Sequence, residues 1–255
     1  MDVEKYARWN KLIITKVSAQ KRPGRYNVFI DGKYAFSAGE KTLAEFVLLK
    51  GKELNDEQVE KIRQFDADAK ASDLAAHFLS YEPRTIFEVL QYLKKYEISD
   101  EAANSAVSQL NELGYLDDRQ YAKLFIKNDL RVGSDGPKIL LRKLTQKGVD
   151  PEISQDKLDE IDEEDWLEVG QRVIKSMSHQ VGKISQRELE RKMRTKLLTH
   201  GFDSGISNVI IDAMDLKEDE NAQTEALKKQ GIKAYKRFRN LPEIERNFKI
   251  KKYLF

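Results

Sequence analysis

Arg187, Arg191 and Arg194 follow i, i+4, i+7 spacing, so in a helix all three guanidinium groups share one face. Fifty residues upstream, Lys138, Arg142 and Lys143 form a similar basic stretch, and Lys196 extends the later one. Fixed cations along helix faces do not break bonds. They attract a polyanion or an acidic protein surface. The other chemistry-bearing types are sparse. There is no cysteine, which removes disulfides, thiolate metal sites and a cysteine nucleophile and suits a reducing cytoplasm. His77, His179 and His200 are scattered without partners at metal-ligand spacing. No Gly-x-x-x-x-Gly-Lys-[Ser/Thr] loop and no Gly-x-Ser-x-Gly elbow occurs. Asp117-Asp118 could serve a metal or acid–base site, but no third ligand lies at a supporting spacing, and a helix start explains the pair better. The sequence therefore predicts a binding protein with no catalytic, cofactor or metal site.

The cations sit in a repeating frame. Leu-Thr-Gln-Lys-Gly-Val-Asp at 144–150 is echoed by Leu-Leu-Thr-His-Gly-Phe-Asp at 197–203, which marks a helical unit of about fifty residues. Middle helices align through Val89/Leu93/Ile98, Leu140/Leu144/Val149 and Met193/Leu197/Phe202, with Gly148 and Gly201 as left-handed helix ends. Their starts agree: Thr85-x-x-Glu88 and Ser185-x-x-Glu188 read as capping boxes, and Pro137 suits a first helical turn. Expected units of three helices span residues 67–116, 117–164 and 165–216, with a partial fourth at 217–255. Ile250 and Leu254 would match Met193 and Leu197, with no closing glycine after them before Phe255. Residues 1–66 read differently. Leu12–Val17, Tyr26–Ile30 and Lys33–Ser37 are rich in branched and aromatic residues, Asp31-Gly32 suits a type I′ turn, and a small β-meander results. A short helix over 40–49 and a capping box at Asn55–Gln58 lead into the helical region.

With 35% charged residues, five prolines and a mean hydropathy of −0.64, the chain is expected to be charged, mainly α-helical and cytoplasmic. Met1–Asn10 contains no apolar run like a signal peptide, and no stretch is suited to a bilayer. The net charge is only +2, but the charges are sorted. Nearly every charged residue from Asp150 to Glu168 is acidic, with Lys157 the exception; Arg172 to Lys196 is basic, and a second basic block runs from Lys228 to Lys252 after the acidic Asp215–Glu220. The acidic run suits helix N-termini and solubility.

Gly114-Tyr115-Leu116-Asp117-Asp118-Arg119-Gln120-Tyr121-Ala122 joins the first unit to the second. Gly114 ends a helix, Asp117 caps the next, Gln120 can close the box, Asp118 favours the helix dipole, and Leu116 can pack on Tyr121. With this motif among three-helix units ending in Lys147-Gly148-Val149 and His200-Gly201-Phe202, the chain resembles the bacterial RecX family, regulators of the RecA recombinase. The resemblance covers most of the chain. It is specific at Gly-Tyr-Leu-Asp-Asp-x-x-Tyr-Ala and at Lys147-Gly148, and weaker in the third unit, where Gly-Phe-Asp-Ser at 201–204 replaces the Lys-Gly-Val-Asp form. It implies tandem three-helix repeats in an elongated curved rod that lies in the groove of a RecA–single-stranded DNA filament. Such a rod would limit filament growth and RecA's ATPase, strand-exchange and coprotease activities in recombination, repair and the SOS response.

The rival is a DNA-binding protein of tandem helix-turn-helix-like modules. A recognition helix must approach phosphates, yet the expected third helices are Asp100–Glu112 and Ser204–Met214, without Lys or Arg, and the acidic Ser154–Asp165 region. The expected partners are therefore RecA and its filament, with weak direct DNA contact and no membrane. The contact face is expected on Lys138, Arg142, Lys143, Arg187, Arg191, Arg194 and Lys196. At the positions of Lys138 and Lys143 the first unit has Phe87 and Tyr92 and the fourth has Phe248 and Tyr253, which are either core aromatics or apolar anchors at the ends of the groove.

Overall fold

The computed structural model describes residues 11–214 and 220–254. Met1–Asn10, most of the acidic stretch from Asp215 and the final Phe255 lie outside the described residues. The chain divides into two compact units, Met1–Asp118 and Arg119–Phe255. The division falls inside the Gly114–Ala122 motif, beside the expected border of the first two repeats.

The first unit opens with β1 (Leu12–Ala19), β2 (Arg25–Ile30) and β3 (Lys33–Gly39), followed by α1 (Glu40–Glu45) and β4 (Glu53–Leu54). The strands form one antiparallel sheet in the order β3-β2-β1-β4. Asp31 and Gly32 have φ of 49° and 81°, the two left-handed residues a type I′ hairpin requires, and Ile30 pairs with Lys33 across it. The meander thus gains a fourth strand, only two residues long and too short to carry an alternating pattern. The helix expected over 40–49 stops at Glu45, because Val47 turns into the left-handed region. Ile14, Val28, Phe36, Leu48 and Ile62 bury one face of the sheet against α2 (Asp56–Leu79).

α2 begins with the expected reciprocal box: Gln58 N–H donates to Asn55 Oδ1 at 2.7 Å and Asn55 N–H to Gln58 Oε1 at 2.9 Å. It then continues for 24 residues across the 66/67 boundary. At that boundary Asp66 accepts from Gly39 N–H (2.7 Å), Thr42 Oγ1 (2.8 Å) and Arg25 Nη1 (2.9 Å). The sheet is therefore fastened to the same helix that begins the first repeat.

That repeat is completed by α3 (Ile86–Lys95) and α4 (Asp100–Glu112), which share with α2 a core of Ala71, Ala75, Val89, Leu93 and Ala106. The second unit contains α5 (Asp118–Val132), α6 (Pro137–Gln146) and α7 (Pro151–Asp159), then α8 (Glu163–Ile174), a 3-10 turn (Lys175–Gln180), α9 (Gln186–Thr199) and α10 (Ser204–Asp212). α11 (Glu220–Phe238) and α12 (Glu243–Leu254) follow. The middle helices are α3, α6 and α9, as the alignment predicts. Val89, Leu93, Leu140, Leu144, Met193 and Leu197 are all fully buried.

Each middle helix ends alike. The N–H of Ile98, Val149 and Phe202 reaches back to the carbonyl of Leu93, Leu144 and Leu197, while the residue before it takes positive φ: Glu97 at 55°, Gly148 at 82° and Gly201 at 88°. This is the Schellman turn, in which a left-handed residue lets the chain cap its own carbonyls. Helix starts agree less completely. Thr85 and Glu88 form the full box, whereas Ser185 accepts from Glu188 N–H but the Glu188 carboxylate turns to Lys192 and Gln230 instead of returning. Leu116 is buried in the core of the first unit and Tyr121 packs on that of the second, so the motif supplies apolar anchors to two cores rather than one staple.

Candidate partner-binding face

The basic residues lie on α6 and α9, and the fold joins these helices end to end. Gly136 N–H donates to the His200 carbonyl at 2.6 Å and Lys138 N–H to the Gly201 carbonyl at 3.2 Å. Free N–H groups at the start of α6 thus meet free carbonyls at the end of α9, opposing helix-dipole ends in contact. The approach is close. A Cβ on Gly136 would lie 2.7 Å from the backbone of Gly201, and one on Gly201 would lie 2.8 Å from the backbone nitrogen of Ile139.

The α5–α6 loop at the same junction is held from several sides. Arg172 of α8 donates to the carbonyls of Gly133 (2.6 Å) and Leu130 (2.9 Å), which neutralises the end of α5. Asp129 Oδ2 accepts from Asp135 N–H at 3.1 Å, and His200 Nδ1 donates to the Ser134 carbonyl at 2.8 Å. Burial pushes the Asp129 carboxyl above its ordinary value, the Asp135 N–H opposes the rise and the Asp135 charge adds to it, while Lys143 and Arg172 lower it.

Helix geometry then sorts the predicted cations. At about 100° per residue, Arg187, Arg191 and Arg194 fall within about 60° of arc, on the side of α9 away from Leu189, Met193 and Leu197. Arg187 and Arg191 are exposed; Arg194 is half-buried, with Nε donating to Asn208 Oδ1 at 3.0 Å. Lys196 lies about 180° from Arg187 and flanks the core half-buried, so it does not share the arginine face. On α6, Lys138 and Arg142 are one turn apart and exposed, whereas Lys143 points to the side and pairs with Asp135. Among the described residues no carboxylate pairs with Lys138, Arg142, Arg187 or Arg191. Lys138, Arg142, Arg187, Arg191 and Arg194 thus lie on the outward sides of two joined helices, whereas Lys143 is exposed but paired with Asp135 and Lys196 lies on another side of α9.

The aromatics at the aligned positions divide as well. Phe87 is 45% exposed and Phe248 68%, so neither is a core ring, while Tyr92 stacks on Phe78 at 4.1 Å with the planes parallel. In the joining motif, Gly114 takes φ of 74° at the end of α4, and Ala122 is fully buried. Tyr115 is exposed, Asp117 immediately precedes α5, and Lys147 lies over the Tyr121 ring. Asp118 does more than favour its own helix dipole. Its Oδ1 accepts from Ile86 N–H at 3.0 Å, in the first turn of α3, 32 residues back along the chain. Burial raises its carboxyl above the ordinary value; the Ile86 N–H opposes this, and the Asp117 and Glu88 charges add to it. Nothing local to the motif signals that distant partner, nor do the pinning roles of Arg172 and His200 show in spacing. Among the described residues no helix is long and apolar enough to cross a membrane.

Comparison with known proteins matches these elements to one family. The family model described as the regulatory protein RecX N-terminal domain matches residues 12–55, and that described as the first three-helix domain of RecX matches residues 71–110. The chain is 53% identical to the regulatory protein RecX of Lactobacillus gasseri over 95% of this chain and 90% of that protein. Against the same-named protein of Bacillus subtilis it is 32% identical over 95% and 92%. A crystal structure of regulatory protein RecX superposes with a TM-score of 0.64 at 32% identity, covering 79% of this chain and 99% of that one. RecX from Lactobacillus salivarius gives 0.53 at 28% identity, covering 60% and 99%. A four-stranded sheet fastened to tandem three-helix repeats, matched over nearly its whole length, places this chain in the RecX family of regulatory proteins.

Proposed function

We propose that this chain binds RecA and the RecA–single-stranded DNA filament in the bacterial cytoplasm and restrains RecA activity by occupancy, without catalysis. The observation that carries the proposal is the pair of joined basic helices, whose exposed Lys138, Arg142, Arg187 and Arg191 lack acidic partners among the described residues. A protein that held these cations for its own stability would pair them, as it pairs Lys143 with Asp135. Left unpaired on a fixed frame, they suit an anionic ridge offered by acidic RecA surface and filament phosphate. The third helices give little support to direct reading of a major groove: α4 and α10 carry no Lys or Arg, and Lys157 of α7 is paired with Glu160.

The test is the DNA-dependent ATPase of the cognate RecA, titrated with this protein from far below to equal stoichiometry, beside direct filament binding over a salt series. The parent is expected to inhibit and to bind less tightly as salt rises. Arg142→Glu, Arg187→Glu and Arg191→Glu together should cut filament affinity about a hundredfold at low salt, since each exposed pair is modest alone. Parental affinity for this triple variant at every salt concentration would remove the face assignment, and absence of any effect on RecA would remove the proposal.

A further inference from the structure

α11 and α12 pack on each other as a helical hairpin whose surface differs from the rest of the second unit. Among the described residues neither helix contributes to a hydrophobic core cluster, and α12 buries no residue. α11 is fixed through the fully buried Ala234 and the hydrogen bond from Gln230 to Glu188 of α9. From Lys228 to Lys252 the hairpin carries ten Lys or Arg against two Glu, a net charge of +8. Ion pairs absorb few of these cations: Lys228 meets Glu225 and Lys249 meets Glu245. Among the described residues Lys233, Lys236, Arg239, Lys251 and Lys252 meet no carboxylate.

Aromatic rings stand among these charges. Tyr235 is 53% exposed and Phe248 68%, and Tyr253 is also open to solvent. The Arg246 guanidinium lies 5.1 Å from the Tyr235 ring centre, and Arg237 lies 5.7 Å from Phe238 and 5.9 Å from Tyr253. Open rings cost free energy in water, and so does a concentration of like charge on two helices. One kind of ligand relieves both, a chain with a negative charge and a flat apolar ring in every unit. Phosphates would take the lysines and arginines, and bases would stack on rings and guanidinium planes. An acidic polypeptide offers the charges without the repeated flat rings.

We infer that the α11–α12 hairpin is a binding site for single-stranded nucleic acid, holding phosphates on its lysines and arginines and stacking bases on Tyr235 and Phe248. This goes beyond the proposed filament contact, since it uses different helices and needs no RecA.

The experiment is fluorescence anisotropy of the full chain with a fluorescein-labelled oligo-dT, without RecA, over a salt series, with circular dichroism to verify that each variant is folded. Oligo-dT is expected to bind with a log–log salt slope of about −0.7 for each phosphate neutralised. An abasic oligomer of the same length should bind about tenfold more weakly, and Tyr235→Ala with Phe248→Ala should bring oligo-dT down to that level. Lys233→Gln, Arg239→Gln and Lys252→Gln together should flatten the slope by about 2. Arg187→Glu with Arg191→Glu should leave this binding largely in place, so its outcome is separable from that of the RecA test.

Three results overturn the assignment. Oligo-dT does not bind; or abasic and oligo-dT bind equally and polyglutamate displaces both, so the surface reads charge alone and its partner is an acidic protein; or the α9 variant, not the hairpin variants, abolishes binding.

Discussion

The first repeat and the second reach the same three-helix arrangement by different means at the start of the middle helix. In the first, α3 is capped by side chains: Thr85 and Glu88 form a box, and the Asp118 carboxylate takes the Ile86 N–H. In the second, Gly136 and Pro137 offer α6 no side-chain cap, and the N–H groups of Gly136 and Lys138 go to the backbone end of α9. Side-chain caps tolerate motion and, where a carboxylate supplies them, are sensitive to protonation. A backbone-to-backbone junction demands glycine and close fit, and in return it fixes one helix against another. The junction lies where the basic helices α6 and α9 meet, so it fixes the orientation of one cationic helix against the other.

The most severe test of this contrast lies in the glycines. Gly201→Ala should destabilise by about 3 kcal/mol, combining left-handed strain with a Cβ driven onto the Ile139 backbone. Gly114 has a similar φ of 74° but open space around its missing side chain, so Gly114→Ala should cost only about 1 kcal/mol. Gly136→Ala separates the two effects. Its φ of −83° suits any residue, so whatever stability it loses comes from crowding the Gly201 and Phe202 backbone. Urea unfolding at unchanged slope measures all three. Equal losses at 114 and 201 would mean that the junction is not tightly fitted.

How far these features could be read from the residues follows the same division. The Schellman ends were legible because they need a left-handed residue and two apolar positions close in sequence, so Gly148-Val149 and Gly201-Phe202 identify themselves. The hairpin at Asp31-Gly32 and the boxes at Asn55 and Thr85 were legible for the same reason. What joins distant segments was not. Asp66 reads as one more helix charge, yet it ties β2, β3 and α1 to α2, which runs on through the boundary expected between residues 66 and 67. Spacing on α9 gave the Arg187, Arg191 and Arg194 stripe correctly, because a helix fixes its own faces. Alignment between repeats put Lys143 and Lys196 beside the others, but a matched position carries no information about a neighbour such as Asp135.

Asp118 gives the next largest effect, and one that depends on pH. Asp118→Ala leaves the Ile86 N–H without its carboxylate acceptor and should cost about 1–2 kcal/mol, whereas Asp118→Asn keeps an acceptor oxygen. The folded carboxyl titrates above its ordinary value, so the folded state holds its proton more tightly than the unfolded chain does. The parent therefore loses stability as pH rises from the ordinary carboxylate value through the raised one. Below that window Asp and Asn at 118 should be nearly equal; above it the difference should move in favour of Asp118→Asn. Asp129, also raised, gives the parent a second contribution of the same sign, which the difference between Asp118→Asn and parent cancels. Denaturant midpoints for the pair across this range check the sign. A difference that moves the other way would mean that ionised Asp118 is favoured by folding and that burial is not the dominant cause.

The smallest expected effect concerns the position where the first repeat departs from the others. Glu97 occupies the left-handed place held by Gly148 and Gly201, with φ of 55°. A non-glycine residue there costs about 1–2 kcal/mol of backbone strain, and glycine returns roughly half of that as entropy of the unfolded chain. Glu97→Gly should therefore stabilise the protein by roughly 0.5 kcal/mol, with Gly148→Glu moving in the opposite direction and further, since it adds strain to an end that now has none. Glu97 is exposed and forms the same backbone turn, so no side-chain contact confuses the comparison. If Glu97→Gly is neutral or harmful while Gly148→Glu is costly, the three helix ends share hydrogen bonds but not strain, and the first repeat has adapted its turn to a charged residue.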